Sequence, residues 1–203
     1  MSICRLPVFF LCAARLLLTP VTVSAADKNT PEAARLVKVL NSNADTYDKA
    51  MACRRLAAIG DASAATAIAK YLGDEKLATY ARSALENIPD QAADKALRDA
   101  LKTVKGDLLV GVINSIGKRK DKQAVGDLTP LLSDKNTKVA IAAAHALGEI
   151  GTPEAAKSLQ QALGKGDAKL QQEVGFACLM CAKSLAKVKD NQTALALVNT
   201  VQK

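Results

Sequence analysis

The sequence contains no tryptophan and one histidine, and only 3% of its 203 residues are aromatic. Proteins that bind single-stranded nucleic acids stack bases on aromatic side chains, so this composition argues against that class. A catalytic triad or metal site built on histidine has few possibilities, because His145 is the only histidine in the chain. Alanine and leucine dominate instead, and the length suffices for one ordinary domain with a sizeable core.

Acidic residues are absent from the first 26 positions, which have the features of an export signal. Arg5 supplies a positive flank, two short apolar runs follow, and Val23-Ser24-Ala25-Ala26 offers small residues to a signal peptidase. Because Arg15 divides the apolar runs, we expect no stable membrane span. The alternative is a first amphipathic helix of the fold. We predict a signal peptide at residues 1–26, a mature domain at 27–203, and a periplasmic or extracellular location.

After residue 26, basic side chains outnumber acidic ones only moderately. The formal net charge of +8 includes Arg5 and Arg15, so the remaining residues carry 26 basic and 20 acidic side chains. Such a mixed-sign, moderately basic surface favours solubility and attracts anions only weakly.

Residues 51–181 contain five copies of one pattern. A core residue, here named the anchor, recurs at intervals of 29, 31, 31 and 31 residues, with a small or β-branched apolar residue four positions before it. The anchors are Leu56, Leu85, Ile116, Leu147 and Cys178. Leucine or isoleucine also stands twelve and sixteen positions after the first four anchors. Two helically spaced stripes in each unit predict an all-α helical solenoid, an α-α superhelix of about five stacked helix pairs.

The unit at residues 134–163 shows how each helix pair is built. The pattern predicts a first helix over 137–149 that ends before Gly151, and Thr152 caps a second helix that begins at Pro153. Other units place the same kind of cap at Asp61, Asp90 and Asp121. Thr30-Pro31 repeats Thr152-Pro153, so residues 31–41 are expected to form the second helix of an incomplete first unit.

The pattern changes in the third and fifth units. Arg119 replaces the apolar residue that follows the third anchor, and Gly126 and Pro130 lie inside the helix after it. Proline removes a helical hydrogen bond and glycine lowers helix stability, so this helix is expected to be disturbed. In the fifth unit we predict a long first helix, paired with a last helix at residues 192–201.

These residues resemble the short HEAT-like repeats that also occur in phycobilin lyases. The segment VAIAAAHALGEIGTPEAAKSLQQAL, residues 139–163, carries the family pattern, and the resemblance covers about residues 46–185. Residues 52–61, 80–90 and 111–121 are similar to HEAT-repeat modules of exported planctomycete and verrucomicrobial proteins. Some of those proteins carry a sugar-acting domain. The resemblance therefore implies, as one alternative, an accessory or truncated module of a larger carbohydrate-degrading system.

Cys178 and Cys181 form a C-x-x-C motif, which can be a redox dithiol or half of a zinc site. In the repeat register they take the core positions of Leu147 and Ile150, where buried cysteine behaves as a small hydrophobe. We therefore predict structural cysteines, no metal and no cofactor. A thiol–disulfide oxidoreductase using Cys178 and Cys181 is the enzyme alternative.

Two more candidate ligands, Cys53 and His145, could complete a zinc site. Cys53 follows a core residue, so we expect it to be partly buried. His145 lies two positions before its anchor, which directs it away from the apolar stripe and towards solvent.

The densest charge cluster, here named the basic turn, lies between the two helices of the third unit. It consists of Lys118, Arg119, Lys120 and Lys122. We expect a solvated turn, and anion or nucleic-acid binding is the alternative. Contacts to phosphates need many basic groups spread along one face, so we expect no nucleic-acid partner.

The positions ten and fourteen residues after each anchor point away from the core and form what we name the second-helix row. Its candidate protein-binding residues, with two flanking positions, are Lys70, Lys95, Arg98, Asp99, Lys157, Gln160 and Gln161. In helical solenoids one such row usually lines the concave surface where partners bind. The sequence therefore predicts an exported, non-catalytic scaffold that binds a protein partner.

Overall fold

The computed structural model describes residues 25–202, with side chains from residue 31 onwards. The predicted signal peptide lies outside the described residues, except for its last two positions. Within the described range the chain forms eleven α-helices and no β-strand. The helices are α1 (Ala25–Leu40), α2 (Thr46–Ile59), α3 (Ala62–Ala69), α4 (Ala78–Asn87), α5 (Gln91–Ala100), α6 (Gly106–Arg119), α7 (Val125–Leu128), α8 (Thr137–Ile150), α9 (Pro153–Ala162), α10 (Ala168–Lys187) and α11 (Asn191–Val201).

The helices alternate along the chain and stack unit on unit, which confirms the predicted solenoid. The first helices of the units, α2, α4, α6, α8 and α10, each pack against the next in that order. Each is followed along the chain by the second part of its unit: α3, α5, the segment 122–133, α9 and α11. Helix α1 precedes the first pair and packs against α2 and α3, as the second helix of an incomplete unit would. It begins at Ala25, six residues before the predicted start, so Pro31 lies inside it and lacks the N–H of one helical hydrogen bond.

The five anchors form the centre of the core, as predicted. Leu56, Leu85, Ile116, Leu147 and Cys178 are all fully buried, and the small residues four positions before them are at most 1% exposed. Burying a leucine or isoleucine side chain contributes about 1.5–3 kcal/mol. Neither helix of a pair could bury its stripe alone, so most of this stabilisation arises between neighbouring helices.

Glycines allow the first helices to approach closely. A Cβ atom built on Gly148 of α8 would lie 2.8 Å from the carbonyl oxygen of Ala177 in α10. A Cβ atom on Gly117 of α6 would lie 2.8 Å from the Cα atom of Ala146 in α8. Backbone therefore packs almost directly on backbone at these two crossings.

The predicted helix caps are confirmed. The Thr152 hydroxyl accepts a hydrogen bond from the Ala155 amide at 3.2 Å, and Pro153 follows it at the first helical position. The three equivalent aspartates, Asp61, Asp90 and Asp121, accept backbone N–H groups in the same way. Each side chain satisfies a donor that the first helical turn leaves without a partner.

The third unit is broken where glycine and proline stand, as predicted. In place of one second helix, the chain forms a 3-10 turn at Lys122–Ala124, the four-residue α7, and another 3-10 turn at Thr129–Ser133. We name residues 122–133 the broken segment. The long terminal helix of the fifth unit is also confirmed, because α10 spans 20 residues and α11 returns beside it.

Candidate functional site

Most residues of the second-helix row lie at the surface. Lys70 at the end of α3, Lys95 and Asp99 of α5, and Lys157 and Gln161 of α9 are exposed, and Gln160 is half-buried. These side chains are spread over three second helices, with the broken segment between α5 and α9. The structure therefore presents them as one extended surface and does not gather them at a single point.

Two open grooves separate the second helices along this surface. One lies between α3 and α5, has a volume of about 530 Å³, and is lined by Lys70, Lys95 and Asp99. The other lies between the broken segment and α9 and has a volume of about 690 Å³. Gly126 and Pro130 line it on one side and Lys157 on the other. A Cβ atom on Gly126 would have no neighbour within 4 Å, so the missing side chain leaves this groove open.

Charges in the first groove are partly satisfied by local partners. The Lys95 ammonium donates to the Asp99 carboxylate at 2.5 Å, one helical turn away. This hydrogen bond is the main reason that the pKa of Asp99 is lowered. Lys70 donates to the side-chain oxygen of Asn41, beyond α1, at 2.7 Å. The second groove is lined by Lys122 and Lys157 on opposite walls, with Glu154 beside them.

Arg98 does not behave as a free member of the row. Its guanidinium forms an ion pair with Asp121, and the side chains of the pair are 18% and 6% exposed. Asp121 also caps the broken segment by accepting the Gln123 amide at 3.0 Å. Arg98 therefore has a structural role, because the pair ties α5 to the start of the broken segment, and its role in binding a partner stays a prediction.

The basic turn is solvated at three of its four predicted residues. Lys120 and Lys122 are exposed, and Lys118 reaches back to the Glu86 carboxylate at 2.6 Å. The hydrogen bond to Glu86 raises the pKa of Lys118. Lys120 adopts a left-handed conformation with φ of 55° and ends α6. Lys120 and Lys122 line a pocket of about 450 Å³ together with Arg98 and Arg119, and the carboxylates of Asp94 and Asp121 line the same pocket.

The prediction of a solvated side chain is wrong for Arg119, which is only 11% exposed. Its guanidinium donates to the carbonyls of Leu85 and Ile88 at 2.6 and 2.7 Å and to the Asp94 carboxylate at 3.0 Å. Those carbonyls lie at the C-terminal end of α4, where a positive charge is favoured. The replacement of an apolar residue was visible in the sequence. A buried charge requires a partner, but the repeat pattern alone does not identify Asp94.

Both cysteines of the C-x-x-C motif are core residues, as predicted. Cys178 and Cys181 are fully buried and unpaired. Burial raises the pKa of Cys178 to about 12, with a smaller contribution from Cys181, and burial raises the pKa of Cys181 to about 11. Cys53 is fully buried, more than expected, and its pKa is raised to about 11. Among the described residues, no three His, Cys, Asp or Glu side chains are grouped to hold a metal ion.

The His145 side chain is 40% exposed, which agrees with the prediction that it faces solvent, but it also has a partner that was not predicted. Its Nε2 atom lies 2.7 Å from the Glu173 carboxylate of α10. The position points away from the core of its own unit, but it points towards the next first helix, which a single-unit argument does not include.

None of the helices α1–α11 combines the length and apolar content that a membrane crossing requires.

Of the known proteins and families, one family model agrees with this architecture. No curated protein matches the chain. One solved structure, of an engineered protein, is 23% identical over 84% of this chain and 92% of its own length, with a TM-score of 0.47. The family model for HEAT repeats matches residues 95–177. The chain is thus an all-α helical solenoid that matches HEAT repeats from α5 into α10.

Proposed function

We propose that this chain is an exported scaffold that binds a protein partner through the second-helix row and catalyses no reaction. The observation that carries the proposal is the pair of open grooves between successive second helices, both lined by residues of that row. An extended partner segment that crosses α3, α5, the broken segment and α9 would contact several units at once. Helical solenoids provide such extended binding surfaces.

The residues that line the groove beside the broken segment indicate more about a partner than those of the other groove. Gly126 and Pro130 stand where the other units carry longer or more polar side chains, such as Lys95 and Lys157. Lys122 and Lys157 face this groove from its two walls. A partner segment with a small apolar residue next to an acidic residue would match both features.

The buried thiols argue against the oxidoreductase alternative. A redox dithiol needs an accessible cysteine with a lowered pKa, whereas Cys178 and Cys181 are buried and their pKa values are raised. Both also lie in the middle of α10, far from a helix N-terminus that would stabilise a thiolate.

Export rests on the N-terminal sequence. The relationship to exported planctomycete or verrucomicrobial modules rests on sequence resemblance. So does the alternative function, a role in a carbohydrate-degrading system.

Affinity capture with two groove variants tests the proposed surface. The tagged full chain is used as bait in periplasmic extract or culture medium, and captured proteins are identified by mass spectrometry. Gly126→Leu fills the groove from a position with open space, and Lys157→Glu reverses an exposed charge on its wall. Arg54→Glu, an exposed charge reversal on the first helix α2, is the matched control.

We expect both groove variants to lose a partner that the wild type and Arg54→Glu retain, with no loss of thermal stability. A partner that binds the groove variants normally but not Arg54→Glu would place the binding surface on the first helices and contradict the proposal.

A further inference from the structure

Five basic side chains surround one pocket where the second unit meets the third. The pocket has a volume of about 450 Å³ and lies between α5 and the turn that follows α6. We name it the charged pocket. A volume of this size is within the range of pockets that hold small molecules. Its basic side chains are Lys95, Arg98, Arg119, Lys120 and Lys122.

The repeat register shows that these basic residues are particular to one junction between units. At the junction before it, the five equivalent positions are Thr66, Ala69, Ile88, Pro89 and Gln91. At the junction after it, 31 residues further along the chain, the five positions again hold no basic residue. Neighbouring junctions therefore pack without these charges, so the solenoid fold does not by itself require them.

Carboxylates balance three of the five positive charges. The three ion pairs are Arg119 with Asp94, Arg98 with Asp121, and Lys95 with Asp99. Among the described residues, neither Lys120 nor Lys122 forms an ion pair. Both of these lysines are exposed and line the pocket. Two positive charges therefore remain uncompensated at the charged pocket.

Arg98 also keeps hydrogen-bond donors for a ligand. Its Nη1 atom donates to Asp121, whereas its Nε and Nη2 atoms have no acceptor within the described residues. No buried side-chain nitrogen or oxygen in this part of the chain lacks a partner, so both atoms are accessible to solvent. The ion pair fixes the guanidinium, which is 18% exposed, and its planar N–H groups suit the oxygens of a phosphate group.

Lys120 brings its charge to the pocket at a cost to the backbone. Its φ of 55° lies in the left-handed region, which is unfavourable for a residue with a Cβ atom. The equivalent residue one unit later is Gly151, which adopts the same conformation with φ of 64° and pays no such penalty. Lysine at this position therefore supplies a positive charge and no advantage to the turn.

We propose that the charged pocket binds a phosphate group, as inorganic phosphate or as a small phosphate monoester. A phosphate monoester carries a charge of about −2 at neutral pH, which matches the two uncompensated charges of Lys120 and Lys122. Arg98 orients the phosphate oxygens through its Nε and Nη2 atoms. A carboxylate supplies one negative charge and would leave one lysine uncompensated. The pocket also has room for a small organic group beside Gln91 and Gln123.

Titration of the full chain with phosphate tests the site without a protein partner, so its outcome is independent of the scaffold proposal. The probes are inorganic phosphate and glycerol 2-phosphate at constant ionic strength, with acetate as the singly charged control. We expect both phosphates to shift the NMR signals of amides in residues 91–98 and 119–123 in a saturable manner. Equal Kd values would show that the phosphate group alone is recognised. Tighter binding of glycerol 2-phosphate would show that the organic group contributes.

Two lysine-to-glycine variants test the assigned residues. Lys120→Gly removes one charge from the pocket, and it should raise the phosphate Kd by about 10-fold or more because a charge-assisted contact is lost. Its thermal stability without phosphate should not fall, since glycine suits the left-handed backbone. Lys189→Gly is the matched control and should leave the Kd unchanged. Lys189 is also exposed and left-handed, with φ of 66°, and it follows α10, outside the pocket.

Three results would each overturn the proposal. The first is the absence of saturable phosphate binding, and the second is acetate binding as tightly as phosphate. The third is an equal change of the phosphate Kd in Lys120→Gly and Lys189→Gly, which would indicate unspecific attraction to surface lysines.

Discussion

The guanidinium of Arg119, at the end of α6, donates to the carboxylate of Asp94 in α5 at 3.0 Å. The same group donates to backbone carbonyls at the end of α4. One side chain therefore joins three helices of two neighbouring units at the position where other units carry an apolar residue. The pair between Arg98 and Asp121 runs the opposite way, from α5 to the start of the broken segment. The two pairs hold α5 against the most irregular part of the solenoid.

Replacing Arg119 should destabilise the fold even when the new residue is apolar. Arg119→Met restores the apolar pattern of the repeat but leaves the Asp94 carboxylate without its guanidinium and the α4 carbonyls without a donor. Breaking a buried pair in this way costs about 3 kcal/mol. The measurement is the free energy of unfolding in urea, and Lys122→Met, at an exposed position of the same turn, is the control. A double-mutant cycle with Asp94→Ala that shows no coupling would contradict the assignment.

The same substitution should have opposite effects at two glycines. Gly148→Ala places a Cβ atom 2.8 Å from the backbone of Ala177, so overpacking of about 1–3 kcal/mol outweighs the gain in helix propensity. Gly126→Ala enters open space within α7 and should stabilise the protein by about 0.4–1 kcal/mol. Thermal and urea unfolding of both variants measure this difference. Equal effects would mean that α8 and α10 do not approach as closely as described.

The rates at which Cys178 and Cys181 react with a thiol reagent should show that both side chains are buried. We expect Cys178 and Cys181 to react slowly with a thiol reagent in the native protein and rapidly in denaturant, measured by mass spectrometry. Cys178→Ser should destabilise by about 1–3 kcal/mol because it buries a hydroxyl group in an apolar site, and Cys178→Val should cost less. Rapid native labelling, together with reductase activity that Cys178→Ser abolishes without loss of stability, would instead indicate an enzyme.

The raised thiol pKa values also predict a loss of stability in alkali. Burial raises the pKa of Cys178 from 9.0 to about 12 in the folded state. The contribution of the neutral thiol to stability is therefore fully present below about pH 9 and declines as the pH rises towards the folded pKa. Between pH 7 and pH 10 each such thiol should cost about 1 kcal/mol. Cys178→Val should lose correspondingly less stability than the wild type over this interval, measured by urea unfolding, and an identical loss would contradict the assignment.

Export predicts a defined N-terminus. Mass spectrometry of the protein isolated from its natural source should give a first residue at Ala26 or Asp27, because the small residues at the end of the apolar segment suit signal peptidase. A protein that still begins at Met1 would show that the segment is retained.

The period of the array, the helices of each unit and the core residues follow from the amino-acid sequence alone. A 31-residue repeat of apolar anchors depends only on local helical geometry and burial, so Leu147 and Cys178 could be placed in the core before any contact was known. Short-range interactions also explain two other features that the sequence predicts. These are the helix caps at Asp61 and Thr152 and the broken helix at Gly126 and Pro130.

The contacts between side chains of different units depend instead on how the units stack. Arg119, Arg98 and His145 each looked available to solvent within their own unit, and each has its partner in a neighbouring helix: Asp94, Asp121 and Glu173. A periodic pattern specifies each unit. The offset between units determines which polar groups come within hydrogen-bonding distance, and that offset depends on how closely the helices pack.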